Sequence, residues 1–205
     1  MKALLATPLH SGAADREFIV GLLQAHGLYA AWTCLEGQAN ISRARDLLAA
    51  QFLASDCTSL VFIDGDIGFS RQDLQCLLES PFPITAGLYQ RKNGSGKWVC
   101  MPQPEEAPSE NGLAHYRRVQ RVGTGFLRID RGVFETLIDT RAVAEYPLDS
   151  HRLHEFFPSG VCGGQFLSED FYFCEIAARA GFQIHLDTRI RLQHVGRFIF
   201  QQTLS

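Results

Sequence analysis

A short apolar run ending at a pair of acids constrains the fold of this chain more than any other feature. The run is Ser59-Leu-Val-Phe-Ile63, and Asp64-Gly-Asp66 follows it directly. An uninterrupted apolar segment of this length, bounded by polar residues, is typical of a strand buried on both faces of a parallel sheet. We therefore expect helices on both sides of the sheet that contains this strand.

Alternating strand and helix patterns surround this run in the first 90 residues. Apolar spacing predicts strands at 2–7, 28–34 and 83–88 and helices at 13–26, 41–54 and 71–79, with the first strand ending at Pro8. This alternation predicts an α/β fold with an open, mostly parallel, Rossmann-like central sheet flanked by helices. A length of 205 residues fits a single domain better than two.

The second half of the chain has less regular patterns, which predict a small antiparallel part. Paired strands are expected at 114–119 and 123–129, helices at 131–138 and 168–180, and short strands at 183–186 and 190–194. Ser168 is the predicted cap of the last helix, and Gly181 is its predicted stop. Residues 101–112 are expected to form an exposed loop, and the glycine-rich stretch 151–167 a mobile active-site loop.

Composition and charge exclude several classes of protein. A net charge of −3 does not indicate a dedicated nucleic-acid-binding protein. No window approaches the roughly 18 apolar residues of a membrane-spanning helix, and the N-terminal apolar run is too short for a signal peptide, so a cytoplasmic location is expected. The six cysteines form no Cys-x-x-Cys pair, which predicts reduced thiols and no structural zinc site.

Asp64 and Asp66 form the strongest candidate site. Residues two apart on an extended segment point the same way, so both carboxylates are expected together at the end of a buried strand. Ligands bind at that edge in open α/β sheets. Two carboxylates this close repel unless a cation lies between them, and hard oxygen ligands suit Mg²⁺ or Mn²⁺. The alternative is a plain turn at the strand end, where Asp-Gly is common.

Other charged residues mark further candidate positions. Arg43 and Arg45 open a predicted helix, where cations oppose the dipole, so one is expected to bind a ligand and the other a carboxylate such as Asp64. Solvated surface arginines are the alternative. Lys92 is a cation at the same sheet edge as the acidic pair.

Two more candidates lie late in the chain. Glu169 and Asp170 open the last predicted helix, where acids complement the dipole in any case. The glycine-rich stretch before them favours a general base. His194 follows a short predicted strand and is a candidate nitrogen ligand for the same metal, with a purely structural histidine as the alternative.

These motifs, taken in order, resemble those of GT-A-fold glycosyltransferases, especially a compact group found in bacteria and large viruses. The resemblance spans nearly the whole chain. Its specific parts are Ala6-Thr-Pro8, Arg43-Ala-Arg45, Phe62-Ile-Asp-Gly-Asp-Ile-Gly-Phe69, Gly123-Thr-Gly-Phe126, Ser168-Glu-Asp170 and His194-Val-Gly196. Ser168 stands where many relatives have Gly, which puts the local backbone in question.

The resemblance implies a role for each matching position. Asp64 and Asp66 would hold the divalent cation and the donor ribose or diphosphate, with Asp66 the more direct metal ligand and His194 completing the metal site. The nucleotide pocket would be formed by Thr7, Pro8, Arg43 and Arg45, with Lys92 as a further donor-binding residue. Asp170, with Glu169 beside it, would be the catalytic carboxylate that acts as the base and deprotonates the acceptor in inverting members.

The activity implied by the resemblance is metal-dependent sugar transfer. The donor would be a nucleoside-diphosphate sugar bound by residues 1–100, and residues 101–205 would bind the acceptor and complete the metal site. The acceptor is expected to be a glycan; a modified nucleobase or other small acceptor is an alternative, and a nucleic acid is less favoured. Two further alternatives are a non-catalytic nucleotide-sugar-binding module and an Asp-x-Asp phosphatase, whose motif normally stands nearer the N-terminus.

Overall fold

A sheet of eight strands, with helices against both faces, forms the centre of the computed structural model, which describes residues 2–92, 96–102, 113–148 and 151–196. Its elements within these ranges are, in chain order, β1 (Ala3–Leu9), α1 (Arg16–Gln24), β2 (Ala31–Glu36), α2 (Ile41–Leu53), β3 (Ser59–Ile63), β4 (Ile67–Gly68), α3 (Arg71–Leu78), β5 (Ile84–Ala86), β6 (Cys100–Pro102), β7 (Tyr116–Val122), β8 (Phe126–Asp130), α4 (Arg131–Asp139), β9 (Glu145–Leu148), β10 (His151–His154), β11 (Gly160–Cys162), β12 (Gln165–Leu167), α5 (Glu169–Arg179), β13 (Ile184–Asp187) and β14 (Gln193–His194). None of the helices in the described ranges is long and apolar enough to cross a membrane.

The strand order of the central sheet is β2-β1-β3-β8-β5-β13-β7-β6. Strands β2, β1 and β3 pair in parallel, as do β5 and β13. Strand β8 runs antiparallel between β3 and β5, and β7 runs antiparallel between β13 and β6. Six of the eight described strands therefore share one direction, which confirms the predicted α/β fold with a mostly parallel sheet.

Strand β3 is buried on both faces, as its uninterrupted apolar sequence predicts. Leu60 and Phe62 pack into the core cluster beneath α2, α4 and α5, while Val61 and Ile63 pack into the cluster beneath α1 and α3. Successive residues of a strand point to opposite faces, so a strand covered by helices on both sides must be apolar throughout. All six cysteines are free, as predicted.

Two predictions about the strands are wrong. Strand β1 does not stop at Pro8 but continues to Leu9. Proline is tolerated there because β1 pairs with β3 only as far as Ala6. At Pro8 the strand pairs with β2 alone, so its other side is an edge of the sheet. The second error concerns β7 and β8, which were expected to pair with each other. The nearly fully buried β8 instead lies between β3 and β5, where both of its faces are covered.

The prediction of a mobile loop at 151–167 is wrong for its first part. Phe156 and Phe157 are fully buried, and Phe157 packs against Phe62 and Phe173. Their backbone N–H groups donate to the carboxylate of Asp46 on α2, at 3.0 and 3.1 Å. Apolar residues without periodicity were expected to cover a ligand, but here they complete the core. The exposed part of the segment is the β11–β12 hairpin.

The predicted cap of α5 differs in detail. Ser168 occupies the N-cap position but makes no capping hydrogen bond to the helix backbone. Its hydroxyl donates to Asp170 Oδ1 instead. The serine therefore orients the acid two residues later.

Candidate active site at the carboxyl edge of the sheet

The carboxyl ends of β1 and β3 open into a cavity of about 580 Å³, which we call the edge cavity. Its walls include the segment after β1, the turn at 64–66, and Val195 and Gly196 after β14. Four predicted site residues line it, namely Pro8, Asp64, Asp66 and Lys92. The edge cavity therefore lies where ligands bind in open α/β sheets.

Asp66 lies at the meeting point of two short strands. Strands β4 and β14 pair antiparallel, and the Val195 N–H donates to the Asp66 carbonyl at 2.9 Å. Lys92 makes an ion pair with Asp66 Oδ2. The other carboxylate oxygen, Oδ1, is buried and has no hydrogen-bond partner. The pairing of β4 with β14 brings the Asp66 carboxylate beside His194, which is 128 positions later in the chain.

The ring of His194 is oriented with one nitrogen towards Asp66. Its Nδ1 lies 2.6 Å from the carbonyl oxygen of Gln90, which can only accept a hydrogen bond, so Nδ1 carries the proton. In the neutral ring Nε2 then has a free lone pair, and it lies 3.7 Å from Asp66 Oδ1. Tyr89 packs edge-on against the ring, with centroids 5.0 Å apart.

Arg45 joins the acidic pair to helix α5. Its side chain is 3% exposed; Nη2 donates to Asp64 Oδ1 at 3.1 Å, and Nε donates to Glu169 Oε1 at 3.3 Å. Burial alone would lower the pKa of Arg45, but the carboxylates of Asp64 and Glu169 raise it overall, so the guanidinium stays charged. Arg45 thus binds protein carboxylates, and does not line the edge cavity.

Tyr89 and two glycines pack beside Asp64. The Gly125 N–H donates to the Tyr89 hydroxyl at 3.0 Å, and a Cβ at Gly123 or Gly125 would lie 2.3 or 2.6 Å from that oxygen. Burial raises the pKa of Tyr89, and the charges of Asp64 and Asp170 raise it further, so the phenol stays neutral. The two glycines therefore make room for Tyr89. The Gly-Thr-Gly motif was the available signal for this contact.

Asp170 does not line the edge cavity, but its charge adds to the burial that raises the pKa of Tyr89. Asp170 Oδ1 accepts hydrogen bonds from the Ser168 hydroxyl and, at 2.8 Å, from the Phe171 N–H. The half-buried carboxylate has no described donor at Oδ2. One oxygen of the carboxylate is therefore held in place, and the other has no partner among the described residues.

Two predicted residues lie outside the site. Thr7 is fully buried and accepts a hydrogen bond from the Trp32 indole at 3.0 Å. Arg43 is exposed and donates to the Gln38 side chain at 3.0 Å. The structure does not bring either side chain to the edge cavity.

The atoms at Asp66 and His194 fit a divalent cation. The described residues contain no cluster of three or more His, Cys, Asp or Glu that could hold a metal by themselves. Asp66 Oδ1 has no hydrogen-bond partner and lies 3.7 Å from His194 Nε2, and two ligands of one ion with bonds of about 2.1 Å stand about 3–4 Å apart. A metal-binding histidine usually donates its other N–H to a carbonyl, as His194 does. The remaining ligands would have to come from phosphate and water.

Comparison with known proteins tests the fold. No protein-family model and no curated protein sequence matches the chain. The crystal structure of A197 from STIV is similar with a TM-score of 0.62 and 16% identity, over 96% of this chain and 87% of that one. GalNAc-T7 with UDP, GalNAc and Mn²⁺ is similar with a TM-score of 0.52 and 12% identity, over 96% of this chain and 44% of that one.

The chain has a GT-A-like fold. It spans less than half the length of GalNAc-T7, and at these identities the similarity concerns the fold alone. A function must therefore be argued from the residues of the edge cavity.

Proposed function

We propose that this protein is a metal-dependent glycosyltransferase that moves a sugar from a nucleoside-diphosphate sugar to an acceptor hydroxyl. The observation that carries the proposal is the buried Asp66 Oδ1, which has no hydrogen-bond partner and lies 3.7 Å from His194 Nε2 beside the edge cavity. A buried carboxylate oxygen without a donor is stabilised by a cation. The fold adds support, because GalNAc-T7, which shares it, was crystallised with UDP and Mn²⁺.

Asp66 and His194 would hold the cation, which would neutralise the charge that develops on the leaving diphosphate. Lys92, paired with Asp66 in the free protein, would lie beside the same diphosphate. Asp64 would bind the donor ribose, with its carboxylate fixed by Arg45. Asp64 would not be a direct metal ligand in this arrangement.

Asp170 would act as the general base of an inverting transfer. Its Oδ2, which has no described donor, would accept the proton of the acceptor hydroxyl as that oxygen attacks the anomeric carbon and the diphosphate leaves. Glu169 would not take this role, because its carboxylate is bound to Arg45. The separate ion pair between Arg45 and Asp64 argues against an Asp-x-Asp phosphatase, in which the Asp64 carboxylate would have to be a free nucleophile.

A thermal-shift experiment tests donor binding. A ligand that binds only the folded state, present at 100 times its Kd, stabilises the protein by about 2.7 kcal/mol, which is about 5–11 °C in Tm for a domain of this size. We expect one nucleoside diphosphate with Mn²⁺ to give such a shift, and excess EDTA to remove it. In Asp66→Asn the shift should disappear, whereas the exposed control Asp139→Asn should keep it. Equal shifts with and without EDTA would refute the metal site.

Turnover distinguishes an enzyme from a binding module. The donor that gives the shift should be consumed when acceptors are supplied, with release of nucleoside diphosphate. Binding without consumption of the donor across glycan and small-molecule acceptors would favour the non-catalytic module.

A further inference from the structure

A second cavity of about 580 Å³ lies on the other side of the β4–β14 ribbon. Gly68 and Gln193 of the ribbon line it, whereas Asp66 and the residues after β14 line the edge cavity. Its other walls are the first turns of α1 and α3 and the segment between β13 and β14. We call it the arginine cavity, because Arg16, Arg189 and Arg191 line it.

The three arginines differ in their partners. Arg189 makes a two-point contact with Asp187, at 3.0 Å from Nε and 2.6 Å from Nη2. The guanidinium groups of Arg16 and Arg191 have no hydrogen-bond or ion-pair partner among the residues that the structure describes. All three arginines are exposed, so an anion from solvent can reach the two that have no described partner.

The carboxylate of Asp73 also lines the cavity, but its described partners are neutral donors and not these guanidinium groups. Its Oδ2 accepts from the backbone N–H and hydroxyl of Ser70, in the capping box of α3. Its Oδ1 accepts from the Arg191 backbone N–H at 2.6 Å. Glu17 is therefore the one acidic side chain lining the cavity that makes no described hydrogen bond or ion pair.

The segment that carries two of the arginines is held rigidly. Asp187, fully buried, accepts from the Arg189 backbone N–H at 3.0 Å, and Asp73, 4% exposed, accepts from that of Arg191. Buried carboxylates that bind backbone N–H groups fix the backbone strongly. Arg189 and Arg191 therefore extend from a backbone segment that is already fixed, which lowers the entropic cost of binding a ligand.

We propose that the arginine cavity binds a phosphate-bearing ligand, at a site separate from the edge cavity. A guanidinium offers paired N–H donors that match phosphate oxygens, and it stays charged at every physiological pH. The cavity is large enough for a diphosphate with an attached group. The negative charge of Glu17 repels the anion and therefore weakens its binding, whereas the arginines strengthen it. This site does not depend on the proposed sugar transfer.

Inorganic pyrophosphate is the probe, titrated into the full chain by calorimetry in excess EDTA. Without a divalent cation the edge cavity is not expected to bind diphosphate, so the titration reports on the arginine cavity. We expect saturable binding that weakens as salt rises. Arg191→Gln should weaken it about tenfold or more, which is the effect of one charge-assisted hydrogen bond, and the double variant with Arg16→Gln should weaken it further. Glu17→Gln should tighten it.

The controls separate this site from the donor site and from a loss of folding. Arg152→Gln removes an exposed arginine on β10, which pairs with Glu145, and should leave the affinity unchanged. Asp66→Asn should also leave it unchanged. Melting curves without ligand should be the same for the Arg16 and Arg191 variants and the parent, because neither side chain has a described partner. The proposal is overturned by absent binding, by equal affinity in the double variant, or by binding that requires Mn²⁺ and Asp66.

Discussion

Arg45→Met tests the buried chain of charges between the sheet edge and helix α5. Arg45 is 3% exposed and lies between Asp64 and Glu169, whose side chains are 29% and 14% exposed. Methionine fills much of the same volume and packs against Phe62, over which the guanidinium now lies at 5.2 Å. The substitution therefore removes the charge while keeping most of the packing.

The expected loss follows from the two carboxylates that would be left without a cation. Removing one partner of a buried ion pair costs about 3–5 kcal/mol. Asp64 is partly hydrated, so the lower end of that range, about 3 kcal/mol, is the appropriate figure here. For a domain of about 200 residues, each kcal/mol lowers Tm by about 2–4 °C, so the expected fall is about 6–12 °C.

Thermal unfolding followed by circular dichroism measures this directly. Arg43→Met is the matched control, because Arg43 is on the same helix but exposed, and surface changes of this kind alter stability by only about 0.5 kcal/mol. Adding Glu169→Gln to Arg45→Met should restore part of the lost Tm, since it removes one unpaired carboxylate. Similar Tm values for the Arg45 and Arg43 variants would show that the buried ion pairs contribute no net stability.

Three further predictions concern catalysis, pH and the 151–167 segment. Asp170→Asn should lower the rate of sugar transfer by about two orders of magnitude or more while keeping the donor-induced Tm shift. If Glu169→Gln is inactive and Asp170→Asn is active, the general base is Glu169 and not Asp170. Burial raises the pKa of the Asp46 carboxyl to about 7. The contribution of this carboxyl to the free energy of unfolding is therefore complete below about pH 4 and is lost as the pH rises through about 7. Asp46→Asn should lack that loss when unfolding free energies are compared from pH 4 to 8, and parallel curves would contradict this. Phe157→Ala should cost about 3–5 kcal/mol of stability in denaturant unfolding, whereas the 74%-exposed Phe166→Ala should cost almost none, and equal losses would refute the division between core and hairpin.

The layering of the sheet could be predicted because it depends on local patterns. The apolar run at 59–63 predicted a strand buried on both faces, and all five predicted helices begin and end within three residues of the observed ones. The position of Asp64 and Asp66 at the sheet edge follows from the same pattern. The structure also brings His194 to Asp66, although the joint role of these residues as metal ligands stays a prediction.

Contacts made by single long side chains could not be predicted from local patterns. Arg45 binds Glu169, 124 positions away, and no periodicity relates the two residues. In the sequence, Arg128 and Arg131 stand in one arginine-rich stretch, and the sequence alone does not show where their side chains bind. Arg128 instead donates to the carbonyls of Leu77 and Leu78, and Arg131 to those near the end of α2. Each arginine satisfies the free carbonyls at the C-terminal end of a helix.

The antiparallel insertion of β8 also determines when the chain can fold during synthesis. Strands β3 and β5 lie in the first 90 residues, but the strand that joins them is Phe126–Asp130. A nascent chain that has emerged from the ribosome only as far as β5 therefore exposes two apolar strand edges. Such edges recruit other chains, and domains tend to fold as units as they emerge. The emerging chain should thus need protection by chaperones until residue 130 has cleared the exit tunnel, and release of a truncated chain before that point should lead to aggregation.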